Sequence, residues 1–239
     1  MKSSELRGFL TGLLIGDGSI DKGVSKRSFS VKSVDKTFID LIESEIKSCT
    51  PFHTQIKYTP AHFSAGCNHK DSWEFKIFAH PYFAKIYHRF YDDYRHRRIT
   101  KYIPEMITPY GVAVWYMSDG YICLVGKEKN AIYNRRMDFA TDRYNKEEVQ
   151  MLQTMMLTKF NINCSVVKRG QFYRLRIKQN SYEDFIWLIF PYILPSMQYK
   201  LYLGYNQQPI WMSDKLWNLQ CSIRSATTLT GNAEGKDIV

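Results

Sequence analysis

The chain has 239 residues, of which 33 are Lys or Arg and 23 are Asp or Glu, so its formal charge at neutral pH is +10. Residues 1–105 carry 17 basic and 12 acidic side chains, residues 106–210 carry 13 and 8, and residues 211–239 carry 3 of each. This distribution excludes a neutral body with a basic tail, and it favours a polyanionic partner, such as nucleic acid, for both large segments.

Cysteine usage and hydropathy restrict the compartment. The five cysteines are scattered without a CxxC pair, and the first residues lack the apolar stretch of a signal peptide. The apolar run near 9–15 is far shorter than the ~20 residues that span a bilayer. The sequence therefore predicts an intracellular protein without a membrane-embedded segment, and it does not indicate which compartment of the host contains it.

The first predicted helix ends in the stretch "FLTGLLIGDGSI", residues 9–20. Its apolar residues recur at helical spacing, which indicates a helix with one buried face. Gly8, Gly12 and Gly16 recur at every fourth position, and such a strip of small residues lets a second helix approach closely. The helix then ends at Asp17, which lies between two glycines, so a buried helix presents a carboxylate at its C-terminal end.

A second stretch, "TPYGVAVWYMSDGYI" over residues 108–122, repeats this ending. Thr108 is a suitable N-cap for a helix over 109–117 that stops at Ser118-Asp119-Gly120. Asp119 follows Asp17 by 102 residues. In this register Val114 would lie opposite Gly12. The chain therefore contains an internal repeat.

The segments after each motif are also similar in kind. After the first motif we predict a short strand before the turn at 21–23, strands near 28–34, 53–58 and 72–78, and helices near 36–46 and 81–91. After the second we predict strands near 121–125, 136–140, 164–168 and 172–178, a helix that starts at 145, and a helix near 182–190. The predicted fold class is α+β, with duplicated αββαββα halves at 1–105 and 106–205. Residues 206–239 lose periodicity and are predicted to be an appended, partly disordered tail.

Two helices packed through small residues would bring Asp17 and Asp119 together. Converging carboxylates repel each other unless a cation lies between them, and oxygen ligands with open water positions suit Mg²⁺. Hydrolysis of a phosphodiester uses such a metal to activate water. The alternative is that each aspartate is an ordinary turn residue beside glycine. The repeated context favours the metal site.

Several predicted strands alternate apolar residues with polar or basic ones, so that each has a core face and an open face. The open faces carry Ser28, Ser30 and Lys32 in one half, and Arg136, Asp138, Arg174, Arg176 and Lys178 in the other. Such faces can contact phosphates and base edges in the major groove. For any single strand, an ordinary solvated face explains the pattern equally well.

These motifs resemble those of the LAGLIDADG homing endonucleases, in the branch that carries two motifs in one chain. "LTGLLIGDG" and "VAVWYMSDG" are similar to the two copies of the family motif, and "KYIPEMITP" and "PYILPSMQYKL" extend the resemblance. The resemblance implies two motif helices at a pseudo-twofold axis and a four-stranded, antiparallel DNA-binding sheet in each half. It also implies a set of site residues: Asp17 and Asp119 as metal ligands, the Gly16 and Ser118 carbonyls as further oxygens, and Lys101 and Lys200 near the scissile phosphates.

The resemblance thus predicts a monomeric, Mg²⁺-dependent endonuclease that cuts double-stranded DNA at a long asymmetric site. Mn²⁺ is a possible substitute, and Ca²⁺ is expected to support binding without cleavage. Two alternatives remain, an intron RNA maturase and a non-catalytic DNA-binding protein on the same fold, because activity depends on the site and not on the fold.

Overall fold

The computed structural model describes residues 3–21, 26–49, 52–64, 66–125, 134–203, 208, 210 and 212–231. The chain divides into two compact units, Met1–Asp119 and Gly120–Val239. The division falls after the second motif helix and not at residue 105, because this helix packs against the first helix of the chain. The predicted turn at 21–23 lies mostly outside the described residues.

The first unit alternates helices with the strands of one sheet. Its elements are α1 (Ser3–Ile15), β1 (Ser19–Ile20), β2 (Arg27–Ser33), α2 (Lys36–Cys49), β3 (Thr54–Thr59), β4 (His62–Ser64), β5 (Cys67–His69), β6 (Ser72–His80), α3 (Pro81–Tyr87), α4 (Ile103–Met106) and α5 (Pro109–Asp119). The main sheet has the order β1-β2-β6-β3, and all its neighbours are antiparallel. Strands β4 and β5 form a separate small hairpin.

Strand β2 shows how this sheet separates its core face from its open face. Phe29 and Val31 are buried, whereas Ser30 is partly exposed and Lys32 is exposed. This alternation follows from the two-residue period of a strand. Helix α2 contacts β2 and β6, and its buried residues at helical spacing are Phe38, Ile39, Ile42 and Ile46.

Helix α3 is shorter than the predicted helix over 81–91. It ends at Tyr87, and the chain then forms a tight hairpin in which the Arg98 amide donates to the Phe90 carbonyl oxygen at 2.7 Å. Arg95 has φ of +66°, a left-handed conformation that reverses the chain inside this hairpin. The apolar and aromatic residues after Tyr87 predicted a longer helix, but in the structure they lie in this hairpin.

The second unit repeats the same plan. Its elements are β7 (Gly120–Val125), β8 (Asn134–Phe139), α6 (Lys146–Phe160), β9 (Cys164–Arg169), β10 (Phe172–Ile177), α7 (Tyr182–Ile189) and α8 (Asp214–Gly231), with 3₁₀ turns at Gln179–Ser181, Phe190–Tyr192 and Pro195–Leu201. The sheet order is β7-β8-β10-β9, again antiparallel throughout. In both units the strands lie in the order first, second, fourth, third when the small hairpin is set aside. The predicted α+β duplication is therefore confirmed.

Helix α6 begins where the sequence predicts. The Asn145 side chain accepts from the Glu148 amide, and the Glu148 carboxylate accepts from the Asn145 amide, both at 2.9 Å. This capping box satisfies two amides at the helix start. The helix ends at Asn161 in the left-handed conformation, with φ of 57°.

The prediction of a partly disordered tail is wrong over Asp214–Gly231, which form α8. Leu216 and Ile223 are buried, and buried Gln220 holds the helix to the preceding chain. Its side-chain oxygen accepts from the Leu203 amide at 2.7 Å, and its nitrogen donates to the Leu201 carbonyl oxygen at 3.1 Å. The last part of the predicted tail, residues 232–239, lies outside the described residues.

Candidate active site and nucleic-acid interface

Helices α1 and α5 pack through backbone-to-backbone contact. A Cβ added at Gly12 would overlap with the Gly111 carbonyl oxygen, and a Cβ added at Gly111 would overlap with the Gly8 carbonyl oxygen. The predicted close approach is confirmed, but its register differs, since Gly111 and not Val114 lies opposite Gly12. Only glycine lets the two backbones meet at this point.

The same packing brings the C-terminal ends of the two helices together. A Cβ added at Gly16 would lie 2.7 Å from Ser118 Cβ and 3.0 Å from Ser118 Oγ. Asp17 and Asp119 each follow one of these contacting residues. Asp17 is exposed and Asp119 is partly exposed. The structure therefore brings together the backbone positions that carry the two predicted metal ligands.

A tight turn fixes the chain directly after Asp17. The Gly18 amide donates to the Leu13 carbonyl oxygen at 2.7 Å, which closes the end of α1. A Cβ at Gly18 would lie 2.8 Å from that oxygen and 3.1 Å from the Phe29 ring. The second glycine of the motif is thus required by space.

The donor atoms at this site are oxygens. Within the described ranges no three His, Cys, Asp or Glu side chains group as metal ligands, so a cation here would complete its shell with backbone carbonyls, water or phosphate. A carboxylate set of this kind fits a hard cation such as Mg²⁺ better than zinc, which prefers nitrogen and sulfur. The Gly16 carbonyl oxygen already accepts from Arg97 Nη1 at 2.6 Å. It therefore keeps one lone pair for a cation.

The two predicted catalytic lysines lie in different units. Lys101 is exposed, just before α4, with Nζ 5.6 Å from the Tyr102 ring centroid. Lys200 is partly exposed in the 3₁₀ turn Pro195–Leu201 of the second unit. Their equivalence, read from the repeat, stays a prediction.

The first sheet presents a polar face that includes the predicted residues Ser28, Ser30 and Lys32. Ser30 pairs with Ser19 on β1, and their hydroxyl oxygens are 3.1 Å apart. The row continues across the sheet through Lys76 on β6 and Gln55 on β3. Ser19, Lys76 and Gln55 were not among the predicted residues, although the alternation in "WEFKIF" and "TQIKYT" indicates the last two.

In the second sheet, the predicted residues Arg174 and Arg176 are each paired with a carboxylate. Arg174 donates to both oxygens of Asp142, at 2.8 and 2.7 Å, and to the Tyr121 hydroxyl at 2.5 Å. Arg176 donates to both oxygens of Asp138, at 2.8 and 2.9 Å. The Asp138 side chain is only 2% exposed, and its carboxylate balances the charge of Arg176. The two arginines are held in fixed directions by these forked pairs.

The pairing has electrostatic consequences. The hydrogen bond from Arg174 to Asp142 raises the pKa of Arg174 above its usual value. The hydrogen bond from Arg176 to Asp138 likewise raises the pKa of Arg176. Burial raises the pKa of the Tyr121 hydroxyl further above its ordinary value. Each pair is close to neutral overall, and Arg136, partly exposed, and Lys178, exposed, are further basic residues on this unit.

The protein has two four-stranded antiparallel sheets of the same strand order, and its two glycine-faced helices each lead to an aspartate. These features define a duplicated α+β protein with an acidic centre formed by Asp17 and Asp119. The chain belongs to the LAGLIDADG DNA endonuclease family, which matches residues 7–185. In the described part of the chain, no helix has both the length and the apolar character needed to cross a membrane.

Three relatives illustrate this membership. The probable intron-encoded endonuclease 1 of Wickerhamomyces canadensis is 33% identical over 134 residues, which are 54% of this chain and 55% of that protein. The cytochrome b mRNA maturase bI2 of Debaryomyces hansenii is 24% identical over 203 residues, which are 82% of this chain and 73% of the relative. The solved structure of the homing endonuclease I-WcaI bound to its DNA recognition sequence is similar with a TM-score of 0.71 and 25% identity, covering 84% of this chain and 88% of that one. The match to the first relative thus spans about half of its length.

Proposed function

We propose that the protein is an intracellular, monomeric, site-specific endonuclease that hydrolyses both strands of a long asymmetric DNA target with a divalent metal, for which we expect Mg²⁺. The observation that carries this proposal is the contact between Gly16 and Ser118, because it places Asp17 and Asp119 one residue beyond a shared point. Family membership and the similarity to a DNA-bound homing endonuclease support it.

The carboxylates and the carbonyl oxygens of the acidic centre have different proposed roles. The Asp17 and Asp119 carboxylates hold the metal, and the Gly16 and Ser118 carbonyl oxygens are available beside them. When bound, a divalent ion activates water and neutralises charge that develops on the phosphate. Mn²⁺ is expected to replace Mg²⁺, whereas Ca²⁺ is expected to support binding only, because it accepts looser geometry.

Two groups of residues are proposed to contact the DNA around this centre. Lys101 and Lys200 are proposed to lie near the two cut phosphates, where an ammonium group stabilises the charge of the transition state. The sheets supply the contacts to DNA, through Ser28, Ser30 and Lys32 in the first unit. In the second unit we propose Arg136 and Lys178 for direct contact.

Arg174 and Arg176 have a different role in this proposal. Each has its direction set by a carboxylate, Asp142 or Asp138, and a guanidinium fixed in advance loses less entropy when it meets a base or a phosphate. Because the two sheets carry different polar residues, the two half-sites of the target should differ in sequence.

Single substitutions at the acidic centre test the proposal. Asp17→Asn or Asp119→Asn keeps the shape and one carbonyl oxygen but removes the charge that binds the metal, so cleavage should collapse. Binding to the same duplex in Ca²⁺ should persist, because the sheet faces are untouched. The target is first identified by cutting a randomised duplex library in Mg²⁺ and sequencing the ends. A single variant that cuts at nearly the unmodified rate would overturn the shared site.

A second candidate function, binding of intron RNA, is favoured by a basic groove on the second unit. The groove, about 520 Å³ in volume, is lined by Lys146, Lys168, Lys178 and Tyr173, among others. Tyr173 and its cross-strand partner Lys168 lie on the sheet face opposite Arg174 and Arg176. Lys178 belongs to both the groove and the surface proposed for DNA, whereas Lys146 and Lys168 are proposed to contact RNA only. The maturase name of the Debaryomyces hansenii relative supports this candidate.

The two surfaces can be tested separately. A Lys146→Gln, Lys168→Gln double variant should lose affinity for a structured intron RNA and keep its affinity for the DNA target. The matched control is Lys36→Gln, Lys47→Gln, which removes the same charge from exposed positions of α2. Equal RNA affinity in the groove variant and the control would remove this candidate.

A further inference from the structure

Two side chains that follow α3 hold the segment that carries Asp17. Arg97 Nη1 donates to the Gly16 carbonyl oxygen at 2.6 Å, and the Tyr91 hydroxyl oxygen accepts from the Ile20 amide at 3.0 Å. Asp17 lies between these two contacts. The backbone is therefore fixed on both sides of the carboxylate.

Tyr91 and Arg97 are also fixed to each other, and we refer to the pair as the Tyr91–Arg97 clamp. They form an antiparallel bridge, and the Tyr91 ring stacks on Tyr87 with centroids 4.3 Å apart and planes 4° from parallel. The Asp92 carboxylate accepts from the His96 amide at 2.8 Å inside the same hairpin. The clamp is thus held together by contacts within its own hairpin and with α3.

The clamp supplies a charge that the end of α1 lacks. The last turn of α1 contains no basic residue, so the helix itself has no cation to balance the partial negative charge of its final carbonyls. The hydrogen bond of the Gly18 amide fixes the backbone after Asp17 but adds no charge. Arg97 supplies a charge-assisted hydrogen bond from 81 positions away.

We propose that Tyr91 and Arg97 are positioning residues that set the direction of the Asp17 carboxylate, an inference that rests on the metal-binding role proposed above for Asp17. Cleavage at the Asp17 side of the acidic centre then depends on the clamp. DNA affinity does not, because neither contact involves the open faces of the sheets.

Among the described residues, both hydrogen bonds of the clamp are made to the segment around Asp17. The register that superposes Lys101 on Lys200 places Phe190 at the position of the first clamp residue and Ser196 at that of the second. A phenylalanine has no hydroxyl group, and a serine has no guanidinium. Loss of the clamp should therefore slow the cutting of one DNA strand more than the other.

Hydrogen exchange tests the clamp without any cleavage. Tyr91→Phe keeps the ring and its stack and removes only the acceptor of the Ile20 amide, while Arg97→Gln removes the charge at the other end. Loss of one hydrogen bond should speed exchange of the amides at 18–20 about fivefold. The control, Arg98→Gln, removes a charge from the same hairpin and should leave these amides unchanged.

Strand-resolved cleavage gives the second readout. On a supercoiled plasmid that carries the target, Tyr91→Phe and Arg97→Gln should accumulate nicked circles, while affinity in Ca²⁺ stays the same. Arg97→Lys should recover part of the linear product, since it keeps the charge. Unchanged exchange at 18–20, or equal slowing of both strands, would overturn the proposal. Failure of the Asp17 role gives a different result, namely full cutting by Asp17→Asn.

Discussion

Substitution of Gly12 by alanine tests the contact that places both aspartates. The added methyl group would overlap with the Gly111 carbonyl oxygen, which belongs to the backbone and has no rotamer that moves it away. Overpacking in a core costs about 1–3 kcal/mol of stability. Because the neighbour here is rigid, we expect a cost of about 3 kcal/mol for the added methyl group. Alanine regains about 1 kcal/mol because it favours helix more than glycine does. The net loss in the free energy of unfolding is then about 2 kcal/mol.

Thermal unfolding and cleavage measure this prediction together. A loss of about 2 kcal/mol corresponds to a fall in melting temperature of roughly 4–8 °C for a chain of this size. Separation of α1 from α5 would also displace Asp17 from Asp119, and a shift of about 1 Å at reacting groups costs about 100-fold in rate.

Gly8→Ala is the matched control for this substitution. Its methyl group would meet the Thr108 side chain instead of a carbonyl, so a Thr108→Gly change should relieve much of its cost. No second substitution at residue 111 relieves Gly12→Ala, since the clash is with backbone. A Gly12→Ala protein with an unchanged melting temperature and cleavage rate would refute the backbone contact.

Two further predictions concern charged residues. Arg176→Met would leave the buried Asp138 carboxylate without its cation and should lower the free energy of unfolding by about 3–5 kcal/mol, whereas the double variant with Asp138→Leu should be close to the unmodified protein. Chemical denaturation of the four proteins of this cycle measures the difference, and a well-tolerated single variant would contradict the pairing. Lys101→Met and Lys200→Met should each slow single-turnover cleavage about 100-fold with little change in affinity measured in Ca²⁺. Equal losses of rate and affinity would instead indicate simple phosphate anchoring.

The sequence predicted the elements whose signals are local. Thr108 before Pro109 marked the start of α5, and the structure confirms that its hydroxyl oxygen accepts from the Gly111 amide at 3.2 Å. Asn145 and Glu148 marked the start of α6 in the same way. The two Asp-Gly endings revealed the duplication, because a helix end leaves the same pattern wherever it occurs in a chain.

The features that the sequence did not predict depend on distant partners. Arg97 is one of three arginines in "RHRR", and nothing in that run indicates that it reaches Gly16. Strand alternation placed Arg174 and Arg176 on one face but could not show that Asp138 and Asp142 would turn toward them. Partners so far apart in the chain can be identified only once the register of the sheet is known.

Helix α8 was not predicted from the sequence for another reason. Its inward stripe contains Gln220 between Leu216 and Ile223, and a polar residue in that position interrupts the apolar period used to predict a helix. The structure shows why glutamine is tolerated there, since both ends of its amide bond the backbone at Leu201 and Leu203.

The position of these bonds affects how far the chain can be shortened. Leu201 directly follows Lys200, so the amide of Gln220 holds the backbone beside a proposed catalytic lysine. A gene cut back to the end of the second repeat would still encode every proposed site residue, but the chain around Lys200 would lose its anchor. If the proposed activity is confirmed, the minimal active length of the chain should therefore be set by the helix outside the repeat, and shortened variants should keep α8.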